Sequence, residues 1–136
     1  MKAFILFLAL ALAACAAPKW DKWTSEQGLA ALHSAKLEAE NARPMIAGDY
    51  GLAPMRAKEG RRFFLPSLCE GCGGRILSFA TQADLNAMKA FYEEQAKQSA
   101  AFFSWVFVKD NLLLQLNGEL PKDKAEAYNT ALQTVR

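Results

Sequence analysis

Two cysteines separated by two residues, Cys69 and Cys72, form the most reactive group of side chains in this chain. In an oxidising compartment such a pair forms a local disulfide, and because the closed loop is short the bond would stabilise the fold only modestly. As free thiols the two side chains could instead exchange disulfides or bind a thiophilic metal such as copper(I) or zinc. The spacing alone therefore leaves a structural disulfide, a redox site and a metal site open.

The residues around the pair favour the structural disulfide. In thioredoxin-like proteins the first cysteine lies at a helix N-terminus, which lowers its pKa, whereas here Gly73 and Gly74 lead into a predicted strand. A zinc site usually has four nitrogen or sulfur ligands, and His33 is the only histidine. Haem attachment would need a histidine at the position of Gly73. We therefore predict a disulfide between Cys69 and Cys72 and no resident metal or cofactor.

No other pattern in the chain predicts catalysis. A Gly-x-Ser-x-Gly motif and a phosphate-binding glycine loop are both absent from the sequence. The acidic residues Asp84, Glu93 and Glu94 belong to a predicted helix rich in lysine and glutamine, which is typical of a solvated helix face. We therefore expect no catalytic residue and a domain that is not an enzyme.

An aromatic cluster lies at the start of the predicted hairpin, and it consists of Phe102, Phe103, Trp105 and Phe107. These rings could line a ligand pocket. Their alternation along a strand also fits packing in the core, because successive side chains of a strand point to opposite faces. We expect core packing and keep the ligand pocket as the alternative.

The elements that would position these groups are clearest between residues 102 and 118. Lys109-Asp110-Asn111 separates two β-rich runs, and Asp110 and Asn111 suit the positive φ of a tight hairpin turn. The cross-strand pairs that this register predicts are Trp105 with Leu116, Phe107 with Leu114, Ser104 with Asn117, and Val106 with Gln115.

Helix signals flank the predicted strands. Thr24 and Gln27 form a capping-box pattern before a helix over 24–37, and Thr81 and Asp84 form another before a helix over 81–99. Pro121 begins the last helix, whose inner stripe is Ala125, Tyr128, Leu132 and Val135. Further strands are predicted over 63–65 and 75–80. Residues 37–43 form either a short strand or, through Glu38-Ala39-Glu40, an extension of the first helix. Loops are predicted over 44–60 and 67–74.

This order of elements predicts an α+β fold. We expect a two-layer sandwich, in which an antiparallel sheet of about four or five strands has the helices packed on one face. Ferredoxin-like or similar folds use such elements, and this is an analogy at the level of the fold alone.

The N-terminus carries a targeting signal. Lys2 precedes an apolar run from Ala3 to Leu12 that is too short to span a membrane. The sequence Leu12-Ala13-Ala14-Cys15 then follows, and it resembles the lipobox of bacterial lipoprotein signal peptides. An ordinary secretory signal, cut after Ala14 or Ala17, is the alternative.

The resemblance implies a division of the chain and an address. Residues 1–14 would be a signal peptide, Cys15 would carry the lipid, 15–23 would be a lipidated tether and 24–136 a single domain. The protein would be exported and membrane-anchored, on the periplasmic face of the outer membrane in a Gram-negative bacterium and otherwise on the outer face of the cell membrane. Trp20 and Trp23 would either dock on the bilayer or cap the core.

Charge and motifs together bound the function. The formal net charge is +2, and the pair Arg61-Arg62 is too short to form a nucleic-acid surface, so we expect no nucleic-acid partner. The leading hypothesis is a lipid-anchored, non-catalytic domain that binds an envelope protein or another ligand. The alternative is a thiol-disulfide or metal-handling envelope protein that uses Cys69 and Cys72.

Overall fold

The computed structural model describes residues 20–136, which form three helices and one five-stranded sheet. The helices are α1 (Ser25–Ser34), α2 (Gln82–Gln98) and α3 (Lys122–Leu132). The strands are β1 (Glu40–Pro44), β2 (Glu59–Phe64), β3 (Gly73–Ser78), β4 (Ser104–Lys109) and β5 (Leu112–Asn117). Short 3-10 turns cover Ala47–Tyr50 and Ala100–Phe102.

The sheet is antiparallel throughout, with the strand order β1-β2-β3-β5-β4. The β4–β5 hairpin has the predicted register, from Ser104 opposite Asn117 to Lys109 opposite Leu112. Asp110 has a φ of 49° in the turn, which confirms the expected positive φ at that residue. Strand β3 begins at Gly73, two residues earlier than predicted, so the two glycines belong to the sheet and not to the preceding loop.

The helices pack against both faces of this sheet. Helices α1 and α3 cover a face that carries Ile76, Leu112 and Leu114, here called the α1/α3 face. Helix α2 covers the opposite face, which carries Leu77 and Leu113 and is here called the α2 face. The α+β class and the antiparallel sheet are thus confirmed, but the expected placement of all helices on one face is corrected.

The physical reason lies in β5, where Leu112, Leu113 and Leu114 are all fully buried. A strand with consecutive buried residues is covered on both faces, because its side chains alternate between them. Strands β3, β4 and β5 form the split βαβ unit found in ferredoxin-like folds, since β5 lies between β3 and β4 and α2 connects them. The helices on opposite faces distinguish the arrangement from the expected two-layer sandwich.

Local capping signals are confirmed at two helices. At α1, the Gln27 backbone N–H donates to the Thr24 hydroxyl at 3.2 Å, and the Thr24 N–H donates to the Gln27 side chain at 2.9 Å. At α2, the Asp84 N–H donates to the Thr81 hydroxyl at 3.2 Å. These bonds satisfy N–H groups that have no partner inside the helix.

The segment Trp20–Trp23, expected within the tether, is bonded to the hairpin turn. Asn111 is fully buried, and its Oδ1 accepts from the Trp23 N–H at 2.8 Å while its Nδ2 donates to the Trp23 carbonyl at 2.8 Å. The Trp23 indole N–H donates to Asp110 at 2.7 Å. Trp23 packs against the core of the α1/α3 face and Trp20 against that of the α2 face. Both rings therefore cap the core.

Within residues 20–136, none of the helices has the length and apolar character needed to cross a membrane. The loop that connects β1 to β2 lies against the α2 face. Its Ala53 is buried, and Met45 and Tyr50 are partly buried against Leu77 and its neighbours.

Candidate ligand-binding site

A row of polar side chains crosses the α2 face. Arg43 lies opposite Arg62, Arg62 opposite Arg75, and Arg75 opposite Gln115 in the strand register. Directly opposite residues of antiparallel strands point to the same face and lie close together. Three arginines on adjacent strands therefore share one patch of the sheet.

The carboxylate of Asp49 lies beside this row and pairs with Arg43, the arginine of β1. Asp49 accepts from both terminal nitrogens of Arg43, at 2.6 and 2.8 Å. This bidentate bond is the main reason why the pKa of Asp49 falls to about 2. Among residues 20–136, neither Arg62 nor Arg75 has a carboxylate within salt-bridge distance.

Arg62 has a structural role in the loop between β2 and β3. Its guanidinium donates to the carbonyls of Phe63, Gly74 and Gly71 at 3.0–3.1 Å, and it lies over the Phe64 ring at 4.8 Å. Burial, together with the neighbouring charge of Arg75, lowers the pKa of Arg62.

Arg75 is held in place by two bonds that leave part of its guanidinium free. Its Nε donates to the backbone carbonyl of Asp49 at 2.7 Å, and its Nη1 donates to Gln115 Oε1 at 2.6 Å. Gln115 is buried and in turn donates to the Ser104 hydroxyl at 2.9 Å. Within the part of the chain that the structure describes, Nη2 of Arg75 makes no hydrogen bond to the protein.

A cavity of about 460 Å³ opens beside Arg75, between α2, the turn Ala100–Phe102 and the end of β5. Its polar lining includes Arg75, Gln115, Ser104, Asn117, Gln95 and Glu119. Its apolar lining includes Phe91, Tyr92, Phe102, Phe103 and Leu52. Tyr92 is buried, and this burial raises its pKa. The arrangement is that of a concave site with an apolar wall and a few convergent polar groups.

Two glycines allow the close backbone contacts around the site. A Cβ at Gly118 would lie 2.1 Å from the carbonyl oxygen of Phe103, and a Cβ at Gly73 would lie 2.0 Å from that of Phe63. No side chain fits at such distances, so both positions require glycine. Gly118 therefore brings the end of β5 against the start of β4, beside the cavity.

The sulfur atoms of Cys69 and Cys72 lie at disulfide-bond distance, which is compatible with the expected disulfide, and their Cα atoms are 5.1 Å apart. Gly71, between them, has a φ of 75°. The Arg62 bond to the Gly71 carbonyl joins this loop to the arginine row. Glu119 lies beside the pair, with its carboxylate within 4.8 Å of the sulfur atoms.

The remaining candidate residues are dispersed. His33 is exposed on α1, and its Nε2 lies 3.1 Å from the Ala39 carbonyl. Glu93, Glu94 and Asp84 make salt bridges with Lys89, Lys97 and Arg56 on the outer surface of α2 and its surroundings. The structure does not bring these groups together with Cys69 and Cys72.

Two rings of the aromatic cluster pack against the core, and the other two line the cavity. Trp105 and Phe107 pack against the core of the α1/α3 face, and the Trp105 indole donates to the Leu120 carbonyl at 2.8 Å. Phe102 and Phe103 are 55% and 38% exposed and line the cavity. The prediction of core packing is therefore right for two rings, and the ligand-pocket alternative fits the other two.

Sequence reasoning missed the arginine row. Arg61 and Arg62 are adjacent in the sequence and form a pair too short for a nucleic-acid surface, but on β2 they point to opposite faces of the sheet. Arg61 pairs with Glu26 of α1 at 2.9 Å, whereas Arg62 joins Arg75. A period of two along each strand would have separated them, but only the strand pairing could place Arg43, Arg62 and Arg75 side by side.

Cys15, the expected lipidation site, lies outside the described residues. The chain matches no protein-family model, and it has no significant similarity to a curated protein or to a solved structure.

Proposed function

We propose that this protein is an exported, lipid-anchored binding domain that holds a small ligand in the cavity of the α2 face and does no chemistry on it. The observation that carries the proposal is the cavity itself. It combines an apolar wall with Arg75 and Gln115, whose positions are held by hydrogen bonds. Polar groups that are held in place favour specific binding, because less order must be imposed when the ligand arrives.

The anchor is proposed on Cys15. Only four residues separate Cys15 from Trp20, which packs against the domain. Five peptide units span at most roughly 18 Å, so a lipid on Cys15 would keep the hairpin turn near the bilayer. The cavity lies at the other end of β5, beside Asn117 and Gly118, roughly 20 Å along the strand. Such a domain would present its cavity away from the membrane.

The anchor is tested by Cys15→Ser in the full chain, expressed with a radiolabelled fatty acid. We expect loss of the acyl label and release of the protein from the membrane fraction, because one conjugation site would carry all the lipid. Cys69→Ser serves as the matched control and should keep both the label and the fractionation. Retention of the label in Cys15→Ser would refute the lipid anchor.

Ligand binding is tested by nuclear magnetic resonance of the mature chain with Cys15→Ser, whose dispersed amide spectrum first verifies folding. Titration with N-phenyl-1-naphthylamine, a neutral aromatic probe, should shift the amides of Phe102, Phe103 and Gly118. Shifts confined to other surfaces, or no saturable shifts, would contradict a ligand site in this cavity.

A second candidate function rests on the geometry of Cys69, Cys72 and Glu119, whose potential ligand atoms all lie within 4.8 Å of one another. If reduced, the two thiolates and the carboxylate would offer three ligands to a thiophilic metal. Thiol titration with and without reductant, together with metal analysis, separates the two candidates. Two free thiols with stoichiometric copper or zinc would favour metal handling, and two thiols seen only after reduction, without metal, would exclude it.

A further inference from the structure

We propose that the ligand of the α2-face cavity is a small organic acid: an apolar, preferably aromatic, body with a single carboxylate or sulfonate that pairs with Arg75. This inference rests on the proposed function, that the cavity binds a small ligand, and adds the chemical class of that ligand.

Arg75 has no carboxylate within salt-bridge distance among residues 20–136. Arg75 is partly buried beside Arg62, and Asp49 already pairs with Arg43. A guanidinium removed from water without a counter-ion is unfavourable, and two such groups side by side raise the local positive potential. An anionic group on the ligand would supply the missing charge.

Hydrogen bonds hold the guanidinium of Arg75 in a fixed position. Arg75 is fixed through Nε and Nη1, so that its Nη2 remains for a ligand. The planar guanidinium matches the oxygens of carboxylate, sulfonate and phosphate groups, and a fixed guanidinium loses little freedom on binding. Gln115 is only 4% exposed, which ties the position of Arg75 to the interior of the sheet.

Apolar side chains form one wall of the cavity. Five large hydrophobic side chains are strongly exposed among the described residues, and three of them line this cavity: Leu52, Phe102 and Phe103. Phe91 adds a fourth apolar side chain to the lining. Exposed apolar groups that gather around one concavity indicate a ligand with apolar surface of its own, which inorganic phosphate or sulfate lacks.

The remaining charge on the lining limits the ligand to one acid group. Glu119 is exposed at the rim and is the only carboxylate among the described residues of the lining. Its repulsion would increase with each further negative charge on the ligand, whereas a single negative charge is offset by pairing with Arg75. The cavity volume, about 460 Å³, suits a small organic molecule.

The test compares two probes of one skeleton, 8-anilino-1-naphthalenesulfonate and neutral N-phenyl-1-naphthylamine, by calorimetric titration and amide shifts of the mature Cys15→Ser chain. We expect the sulfonate to bind at least about 10-fold more tightly, because a charged hydrogen-bonded pair adds that much affinity. Arg75→Gln should remove this preference, so that the ratio of the two affinities falls to near one. Arg61→Gln, on the opposite face of the same sheet, is the matched control and should keep the preference.

The outcomes separate the two proposals. Equal affinities for both probes, with shifts in the cavity and no effect of Arg75→Gln, would overturn the acid class but leave the cavity as a binding site. Absence of cavity shifts with either probe would overturn the proposed binding function itself. If Arg75→Gln does not fold, the chain that keeps Arg75 still provides a test. A ratio near one between its affinities for the two probes would refute a role for the positive charge.

Discussion

The two faces of the sheet use the same strands in different ways. The α1/α3 face is apolar across its centre, with Phe63, Ile76, Leu114 and Leu116 all fully buried. The α2 face is apolar toward the hairpin turn, at Leu77 and Leu113, but carries Arg62, Arg75 and Gln115 toward the other end. One face is therefore closed by core packing, whereas the polar half of the other carries the proposed binding site.

The largest expected effect on stability comes from a substitution on the α1/α3 face. Leu114→Ala should destabilise the domain by about 2–5 kcal/mol, because it leaves a cavity in a fully packed core. Leu52→Ala, the same change at a side chain that is 87% exposed, should alter the free energy of unfolding by less than about 0.5 kcal/mol. Urea denaturation measures both, and a loss below about 1 kcal/mol for Leu114→Ala would contradict the packing described for this face.

The adjacent residues Arg61 and Arg62 test the same contrast between the two faces. Arg62→Met should cost about 1–2 kcal/mol, because three carbonyls lose a charged donor. Arg61→Met removes a salt bridge to exposed Glu26 on the other face and should cost less than about 0.5 kcal/mol. Thermal denaturation of the two variants tests this order, and equal losses would mean that Arg62 is not bound as described.

The smallest effect concerns acid stability. The pKa of Asp49 is lowered to about 2 from an ordinary 3.8, chiefly by Arg43. Because the folded state holds this proton less tightly, the contribution is complete above the ordinary pKa and is lost as the pH falls through the range from about 4 to 2. Asp49→Asn should therefore lower the free energy of unfolding by about 1 kcal/mol at pH 7 and by clearly less at pH 2, where about half of the carboxylate is protonated.

The matched control for the pH effect is Asp84→Asn, which removes a 3.5 Å salt bridge to Arg56 on an exposed surface. Its effect on the free energy of unfolding should be smaller than that of Asp49→Asn at pH 7. If Asp49→Asn lowered the free energy of unfolding equally at pH 2 and pH 7, the charge of the Asp49–Arg43 pair would not be the cause.

Local signals predicted local structure well. The capping threonines Thr24 and Thr81 and the turn at Asp110 are found as expected, because each depends on residues within a few positions of one another. The inner stripe of the last helix, Ala125, Tyr128, Leu132 and Val135, is buried for the same reason. Strand limits were less accurate around Gly73 and Gly74, since their place in β3 depends on contacts with Phe63 and Gln115 across the sheet.

By itself the sequence determined the α+β class, the hairpin register, the helix caps and the close spacing of Cys69 and Cys72, all of which depend on short-range patterns. The tertiary structure decided which face of the sheet each helix covers, because an apolar helix stripe packs equally well on either side. It also decided that Arg43, Arg62 and Arg75 stand side by side and that Phe102 and Phe103 line a cavity beside them. These residues are distant along the chain, and only strand pairing and the position of α2 bring them into one site.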